Sequence, residues 1–313
     1  MGMKRALAVI AASLSVLLLA QAPASAQHKI KIGCTATTDC ASAMVAVDEG
    51  IFARNGIEAE MVRIGINSNI PAALLSNSIQ IGGPTTTVFL QAVDGGLPLV
   101  AVAGASVMSQ RTNPNVALFV RNGLDVTKPE DLVGKKVGAP GLGAYLHVLF
   151  VKWLMEKGVD PNKVNFVEVS FPTMLDVVRS QAVDAVVSSE PTVTRMTNAG
   201  VGRVAFRYAA DLNRKEPIII YAASRAWADQ NPKAVAAFRA AIVEAAVIAN
   251  SDDAKANAAI AKFTGQQLDL VASVRRNVSN PILTSDDMLW WIEVMKQQKL
   301  LQGTPDVQKL ILP

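Results

Sequence analysis

Residues 28–64 read HKIKIGCTATTDCASAMVAVDEGIFARNGIEAEMVRI. Residues 29–34 have a strand pattern, and the hydrophobic spacing then becomes that of a helix over residues 41–55. Gly56 is a typical helix stop, and a second strand follows over residues 57–64. A strand, a helix and a strand in this order predict parallel pairing through a crossover helix, which is the unit of an α/β fold.

The same alternation continues along the chain. The first series adds helices over residues 69–77 and 85–95 and strands over residues 79–82 and 97–103. A second series has strands over residues 116–121, 135–139, 164–169, 182–188 and 203–207, with helices over residues 145–157, 174–181 and 191–199. An apolar strand over residues 218–223 follows, and the rest of the chain is predicted to form four helices, over residues 232–250, 252–264, 267–278 and 285–299.

The second series of elements is inserted in the first. The chain must then cross between two lobes twice, near Ala117 and near Ala222. We therefore expect lobe 1 to comprise residues 27–116 and 223–313, and lobe 2 to comprise residues 117–222. The helical tail has no sheet of its own and is expected to pack on lobe 1. A cleft between lobes that are joined by two crossings is a preferred ligand site.

The first 26 residues predict an export signal. Lys4 and Arg5 precede an apolar run over residues 6–20, and Ala24-Ser25-Ala26 supplies the small residues that a signal peptidase requires. Cleavage after Ala26 and a periplasmic location are therefore predicted. A membrane anchor is the alternative, but the apolar run is shorter than the roughly 20 residues that a spanning helix needs.

Length and composition narrow the class of protein further. A chain of 313 residues is long enough for two domains, and a hydrophobic content of 50% with 18% charged residues excludes a disordered or coiled-coil protein. The net charge of +4 is not concentrated in basic clusters, so no nucleic-acid partner is expected.

The only two cysteines, Cys34 and Cys40, are six positions apart. An even number of cysteines in an exported chain favours a disulfide, with free thiols as the alternative. Metal binding is the weakest interpretation, because no neighbouring histidine completes a zinc set. We therefore predict neither a metal site nor a cofactor.

Groups that could perform catalysis are scarce. The chain has two histidines, of which His28 lies close to the expected mature N-terminus and His147 follows a glycine-rich loop. His147 either contacts a ligand or is a packed or solvated side chain. The sequence contains no Gly-x-Ser-x-Gly elbow, no His-Glu-x-x-His motif and no phosphate loop. We therefore predict a protein without enzymatic activity.

Small polar residues and glycines follow four of the predicted strands and precede the next helix. If the four helix N-termini face one cleft, they can hold an anionic or polar small molecule without a charged side chain. Each hydroxyl taken alone is also explained as a helix cap. The candidate ligand-binding residues are Thr37, Thr38, Asp39, Gly83, Thr85, Thr86, Gly143, Ala144, Tyr145, Ser189 and Glu190.

Glu190 allows two interpretations. It precedes Pro191, which suits the first position of a helix, but Glu is a poor N-cap residue. Its carboxylate is either attracted to the helix dipole and faces water, or it enters the cleft and accepts a hydrogen bond from a ligand N–H or O–H. The second interpretation favours a zwitterion, an amine or a heterocycle over a bare sulfonate or nitrate.

Several segments resemble the periplasmic solute-binding proteins of ABC importers, in particular the NMT1/THI5-like group of sulfonate, nitrate, taurine and thiamine-precursor binders. The segments are DEGIFARNGI at 48–57, IQIGG at 79–83, DLVGKKVG at 131–138 with GLGAY at 141–145, and VDA at 183–185 with Glu190-Pro191. The resemblance implies the α/β, two-lobe type II periplasmic binding-protein fold, with two mixed sheets flanked by helices and a double-strand hinge.

The resemblance also implies a function. The protein would be a monomer that captures a small polar or anionic organic molecule in the cleft by hinge closure and delivers it to an ABC permease. The implied ligand loops lie at Thr37-Thr38, Thr85-Thr86, residues 143–145 and Ser189-Glu190. Two alternatives remain, a periplasmic ligand sensor and an enzyme similar to the pyrimidine-precursor synthases of the same fold. That enzyme would need a lysine for pyridoxal phosphate, and the four loops contain none.

Overall fold

The computed structural model describes residues 28–313, and the predicted leader over residues 1–26 lies outside them. The strands are β1 (His28–Cys34), β2 (Ile57–Arg63), β3 (Ile81–Gly82), β4 (Leu99–Val107), β5 (Ala117–Arg121), β6 (Lys136–Ala139), β7 (Asn165–Glu168), β8 (Ala185–Ser188), β9 (Gly202–Phe206), β10 (Pro217–Ser224) and β11 (Val278–Ser279). The helices are α1 (Ala41–Asp48), α2 (Ile51–Arg54), α3 (Ile70–Leu75), α4 (Thr86–Asp94), α5 (Tyr145–Glu156), α6 (Met174–Arg179), α7 (Thr192–Asn198), α8 (Arg225–Gln230), α9 (Pro232–Ser251), α10 (Asp253–Thr264), α11 (Leu268–Ala272) and α12 (Leu289–Gln297).

The strands form two mixed sheets, as predicted. The first has the order β11-β4-β10-β3-β1-β2, and the second has the order β7-β6-β8-β5-β9. In the first sheet β1 is parallel to β2 and β3, whereas β10 is antiparallel to β3 and β4. In the second sheet β6 is parallel to β7 and β8, and β5 is antiparallel to its two neighbours. We call the parts built around these sheets the first and the second lobe.

The return crossing differs from the sequence prediction. We expected the chain to leave the second lobe near Ala222, but β10 pairs along its whole length with β4 in the first sheet. The two crossings are therefore residues 108–116 and 207–216. In the first sheet the two crossings start from the neighbouring strands β4 and β10. In the second sheet they start from the neighbouring strands β5 and β9. The apolar sequence of β10 does not indicate which sheet the strand joins, because a central strand of either sheet has the same continuous apolar pattern.

Two further elements depart from the sequence prediction. The helix expected over residues 41–55 is broken at Gly50, whose φ of +67° interrupts the turn between α1 and α2. The tail is not purely helical, because β11 pairs with Val107 and Ser106 at the edge of the first sheet. The tail therefore packs on the first lobe, as predicted, and also extends its sheet.

Helix α9 is the one helix within residues 28–313 that is long and apolar enough to fit a membrane span. Its buried face belongs to the core of the first lobe, because the ring of Phe238 stacks on Phe52 at 5.6 Å and meets Tyr221 edge-on at 5.2 Å. Phe238 and Ile242 are fully buried. The apolar composition of α9 is therefore explained by packing inside the protein.

Candidate functional site

A cavity lies between the two lobes, and residues of both lobes line it. The starts of α1, α4, α5 and α7 all contribute to its wall, so the four predicted loops do meet at one crevice. The lining residues are Thr35, Thr37, Thr38, Asp39, Asn67, Thr85, Thr112, Asn115, Val116, Pro140, Ala144, Tyr145, Leu146, Phe171, Ser189, Glu190, Ile218, Ile219 and Asn277.

Asp39 is the centre of a buried hydrogen-bond network on the first-lobe wall. One carboxylate oxygen, Oδ2, accepts from the Thr37 hydroxyl at 2.7 Å. The other, Oδ1, accepts from the Ser106 hydroxyl at 2.9 Å and from the Asn277 amide at 2.8 Å. The network ties the loop before α1 to β4 and to the tail, so Asp39 is held rigidly while 8% of its surface stays accessible.

Asn67 organises the start of α4 and reaches the opposite lobe. Its side-chain Oδ1 accepts from the backbone N–H of Thr85 at 2.9 Å, and its Nδ2 donates to the Gly83 carbonyl at 3.3 Å. Its backbone N–H donates to the carbonyl of Pro140 in the second lobe at 3.2 Å. The Thr85 hydroxyl accepts from the Val88 N–H as an ordinary N-cap, so two of the donors at this helix start already have partners.

The second-lobe wall begins with α5, which has no side-chain cap at Ala144. Its first residue, Tyr145, is buried, and no group within residues 28–313 hydrogen-bonds its hydroxyl. Burial, with a smaller contribution from the charge of Asp39, raises the pKa of Tyr145 well above its usual value. The hydroxyl is therefore neutral and available to a bound molecule.

Glu190 combines the two roles that the sequence left open. Its Oε2 accepts from the backbone N–H of Thr194 at 2.9 Å, which satisfies one of the free donors at the start of α7. The side chain also lines the cavity, next to Ser189. Capping therefore fixes the position of the carboxylate without removing it from the cavity wall.

Three of the predicted residues lie behind the wall. The Thr86 hydroxyl is fully buried and donates to the Pro217 carbonyl at 2.9 Å. Gly83 packs directly on the disulfide between Cys34 and Cys40, because a Cβ at this position would lie 2.7 Å from the Cys40 sulfur. Gly143 has a φ of +76°, and a Cβ there would collide with Gln91. These residues support the site rather than face it.

The sequence prediction missed several residues of the wall, among them Asn67, Asn115, Phe171 and Asn277. Asn67 follows β2, so the rule that polar residues after a strand end face the cleft could have found it. Asn115 lies in the first crossing and Asn277 in the tail, where no local pattern indicates a site.

His147 lies outside the cavity wall, so the packed interpretation of this residue is correct. Its ring meets Phe166 edge-on at 4.6 Å, and its Nδ1 accepts from the Gly143 N–H at 3.1 Å. Burial lowers the pKa of His147 to about 4, although nearby Glu168 opposes the shift. The imidazole is therefore neutral and holds the loop before α5.

We expect this histidine to make stability depend on pH. Because its pKa is lower in the folded state than the usual 6.5, the unfolded chain takes up a proton first as the pH falls. The free energy of unfolding should drop by about 2 kcal/mol between pH 7 and pH 4.5. Denaturant titrations should show that His147→Gln lacks this component and that His28→Gln keeps it. Equal pH dependence in both variants would contradict the assignment.

The profile of the NMT1-like family matches residues 23–264, well over half of the 313 residues. The chain belongs to the NMT1-like family. Among curated relatives it is 24% identical over 245 residues to the nitrate/nitrite binding protein NrtA of Synechococcus elongatus, covering 70% of this chain and 54% of that protein. It is 23% identical over 218 residues to the taurine-binding periplasmic protein of Escherichia coli, covering 69% and 66%. The NMT1-like chain thus spans about half to two thirds of the length of these relatives.

The fold of this NMT1-like protein is also that of solved periplasmic binding proteins. The alkanesulfonate-binding protein SsuA of Xanthomonas axonopodis pv. citri, bound to MOPS, superposes with a TM-score of 0.74 at 18% identity. The superposition covers 91% of this chain and 98% of that one. The two-lobe periplasmic binding-protein fold expected from the sequence is therefore confirmed.

Proposed function

We propose that this protein is an extracytoplasmic solute-binding protein that captures a small polar organic molecule and delivers it to an ABC permease. The single observation that carries the proposal is the cavity, which both lobes line at the starts of four helices. The curated relatives are named as binding proteins, which supports a binding role without enzymatic activity. A periplasmic location, with export directed by residues 1–26, completes the proposal.

The two crossings support capture by hinge closure. They leave the first sheet from adjacent strands, since Val107 of β4 lies opposite Pro217 of β10. A backbone hydrogen bond from Met108 to Glu216, 2.9 Å long, ties them together where they begin. Rotation about this paired segment would open the cavity while both sheets stay intact, and a ligand that touches both lobes would favour the closed form.

The contacts across the cleft are those that closure would make. The Ser68 hydroxyl donates to Glu168 at 2.8 Å, and the Gln298 amide donates to the Val148 carbonyl at 2.8 Å. Both are single hydrogen bonds between the lobes; the neutral one is of a kind that adds about 1 kcal/mol, and the one to the Glu168 carboxylate is of a kind that adds about 1.5–3 kcal/mol. They are weak enough to break without ligand and are proposed to form together with the ligand contacts.

We propose that the ligand touches the residues that line the cavity and that the residues behind them hold the wall in place. The proposed contacts are Thr37, Thr38, Asp39, Thr85, Ala144, Tyr145, Ser189 and Glu190. Gly83, Thr86 and Gly143 are proposed as supporting residues, since they pack against the disulfide, Pro217 and Gln91.

Small-angle X-ray scattering tests the closure. Compounds that raise the melting temperature in a screen of amino acids, amines, nitrogen heterocycles, sulfonates and carboxylates should also reduce the radius of gyration at saturation. Compounds from the same screen that leave the melting temperature unchanged serve as the control and should not compact the protein. A stabilising compound that leaves the radius of gyration unchanged would contradict closure.

A further inference from the structure

The charged side chains that line the cavity are all negative. Within residues 28–313 no lysine, arginine or histidine side chain lines it, whereas each lobe contributes one carboxylate, Asp39 from the first and Glu190 from the second. Neither carboxylate has an ion-pair partner among the described residues. The closed cavity thus encloses two negative charges with no protein cation to balance them.

The groups that contact the Asp39 carboxylate are neutral hydrogen-bond donors. Two hydroxyls and one amide donate to it, which satisfies the carboxylate without removing its charge. Burial, with a smaller contribution from Asp39 across the cleft, raises the pKa of Tyr145 on the opposite lobe. Glu190 has a single protein donor, the Thr194 N–H on Oε2, so its other oxygen remains without a donor within residues 28–313.

The helix starts offset these charges only in part. Thr85 and Asn67 accept from or donate at the start of α4, and Glu190 accepts at the start of α7. The starts of α1 and α5 have no side-chain cap, and the Tyr145 hydroxyl lies beside the start of α5. Two places in the cavity therefore suit a hydrogen-bond acceptor, and the two carboxylates, Asp39 and Glu190, require a donor or a positive charge.

We propose that the cavity selects a small molecule that carries a protonated nitrogen or an N–H donor edge and has no net negative charge, and that it rejects bare oxyanions such as nitrate and sulfate. This inference rests on the proposed function, because it names the ligand class of the same cavity. In the low dielectric of a closed cleft, an oxyanion beside two unpaired carboxylates is repelled, whereas a cationic nitrogen supplies the missing balance. The rings of Tyr145 and Phe171 and the side chains of Ile218 and Ile219 give the rest of the ligand an apolar surface.

Thermal shift followed by calorimetry tests this selectivity with two arms of small compounds. One arm contains amines, amidines, zwitterionic amino acids and amino-substituted nitrogen heterocycles. The other contains nitrate, sulfate, alkanesulfonates and carboxylates. We expect stabilisation only in the first arm.

Two variants assign the selectivity to the cavity. Glu190→Gln keeps an oxygen that can accept from Thr194 but removes the charge, so it should bind the best compound of the first arm about 10- to 100-fold more weakly, with an unliganded melting temperature close to that of the wild type. The matched control Glu130→Gln makes the same change on the exposed surface of the second lobe and should bind within about twofold of the wild type.

Each contrary result has a distinct meaning. If an oxyanion stabilises the protein and compacts it in scattering, the ligand class proposed here is wrong and the proposed function stands. If neither arm contains a stabilising compound, both proposals fail. If Glu190→Gln binds as the wild type does, its carboxylate acts only as a helix cap and the inference is overturned.

Discussion

Replacing Trp291 by alanine is expected to reduce the free energy of unfolding by about 3–5 kcal/mol, the range for removing a large buried aromatic side chain. Trp291 is fully buried in α12, and its indole N–H donates to the Pro217 carbonyl at 2.8 Å. Its ring also meets Tyr145 edge-on at 5.8 Å, so the tail of the first lobe touches the cavity wall of the second. The loss should therefore affect ligand binding as well as stability.

The neighbouring tryptophan provides the matched control. Trp290 is half-buried, and the Arg214 guanidinium lies over its ring, 4.9 Å from the ring centroid. A cation–π interaction at an exposed site contributes about 0.5–1 kcal/mol. Trp290→Ala should therefore cost clearly less than Trp291→Ala in urea denaturation. Trp291→Phe should lie between them, because Thr86 still donates to the Pro217 carbonyl when the indole is lost. Equal losses of unfolding free energy in the two alanine variants would contradict the larger packing contribution assigned to Trp291.

Replacing Asp39 by alanine is expected to cost about 2–4 kcal/mol of the free energy of unfolding. The change removes the acceptor for Thr37, Ser106 and Asn277, and buried donors left without a partner cost about 1–3 kcal/mol each, less where a hydroxyl can rotate. Asp39→Asn keeps one acceptor oxygen and should lose only about 1 kcal/mol. The asparagine variant therefore separates the structural role of the side chain from the role of its charge in binding.

A surface aspartate in the same region gives the control for Asp39. Asp48 ends α1 and pairs with the exposed Lys262 at 2.8 Å, so Asp48→Ala should cost less than about 1 kcal/mol. Chemical denaturation of the three variants tests the difference. If Asp39→Ala were as stable as Asp48→Ala, the buried network would contribute nothing to the fold.

The sequence predicted the elements well where local signals mark their ends. The strand and helix boundaries around Cys34, Ala41 and Tyr145 follow from a change of hydrophobic period next to glycines and hydroxyl residues, which act locally. The break at Gly50 is also local in origin, but a glycine within a helical pattern does not reveal by itself whether its φ is positive.

Part of the candidate site could also be predicted, because local signals in the sequence mark the positions of some of its residues. Residues that directly follow a strand, such as Thr37, Asp39, Thr85 and Glu190, could be selected because strand ends converge in an α/β fold. Distant partners could not be selected. Asn277 reaches Asp39 from a part of the chain 238 positions away, and no periodicity encodes that contact.

By itself, the sequence determined that the chain forms alternating strands and helices in two lobes, and that four loops rich in hydroxyls and glycines meet at one cleft. Only the tertiary structure decided which lobe β10 joins, which helix starts are already capped, and that Asp39 and Glu190 lie in one cavity without a cation. The reason is physical. Periodicity and turn residues report interactions between neighbours in the chain, whereas the charge balance of a cavity depends on side chains that only packing brings together.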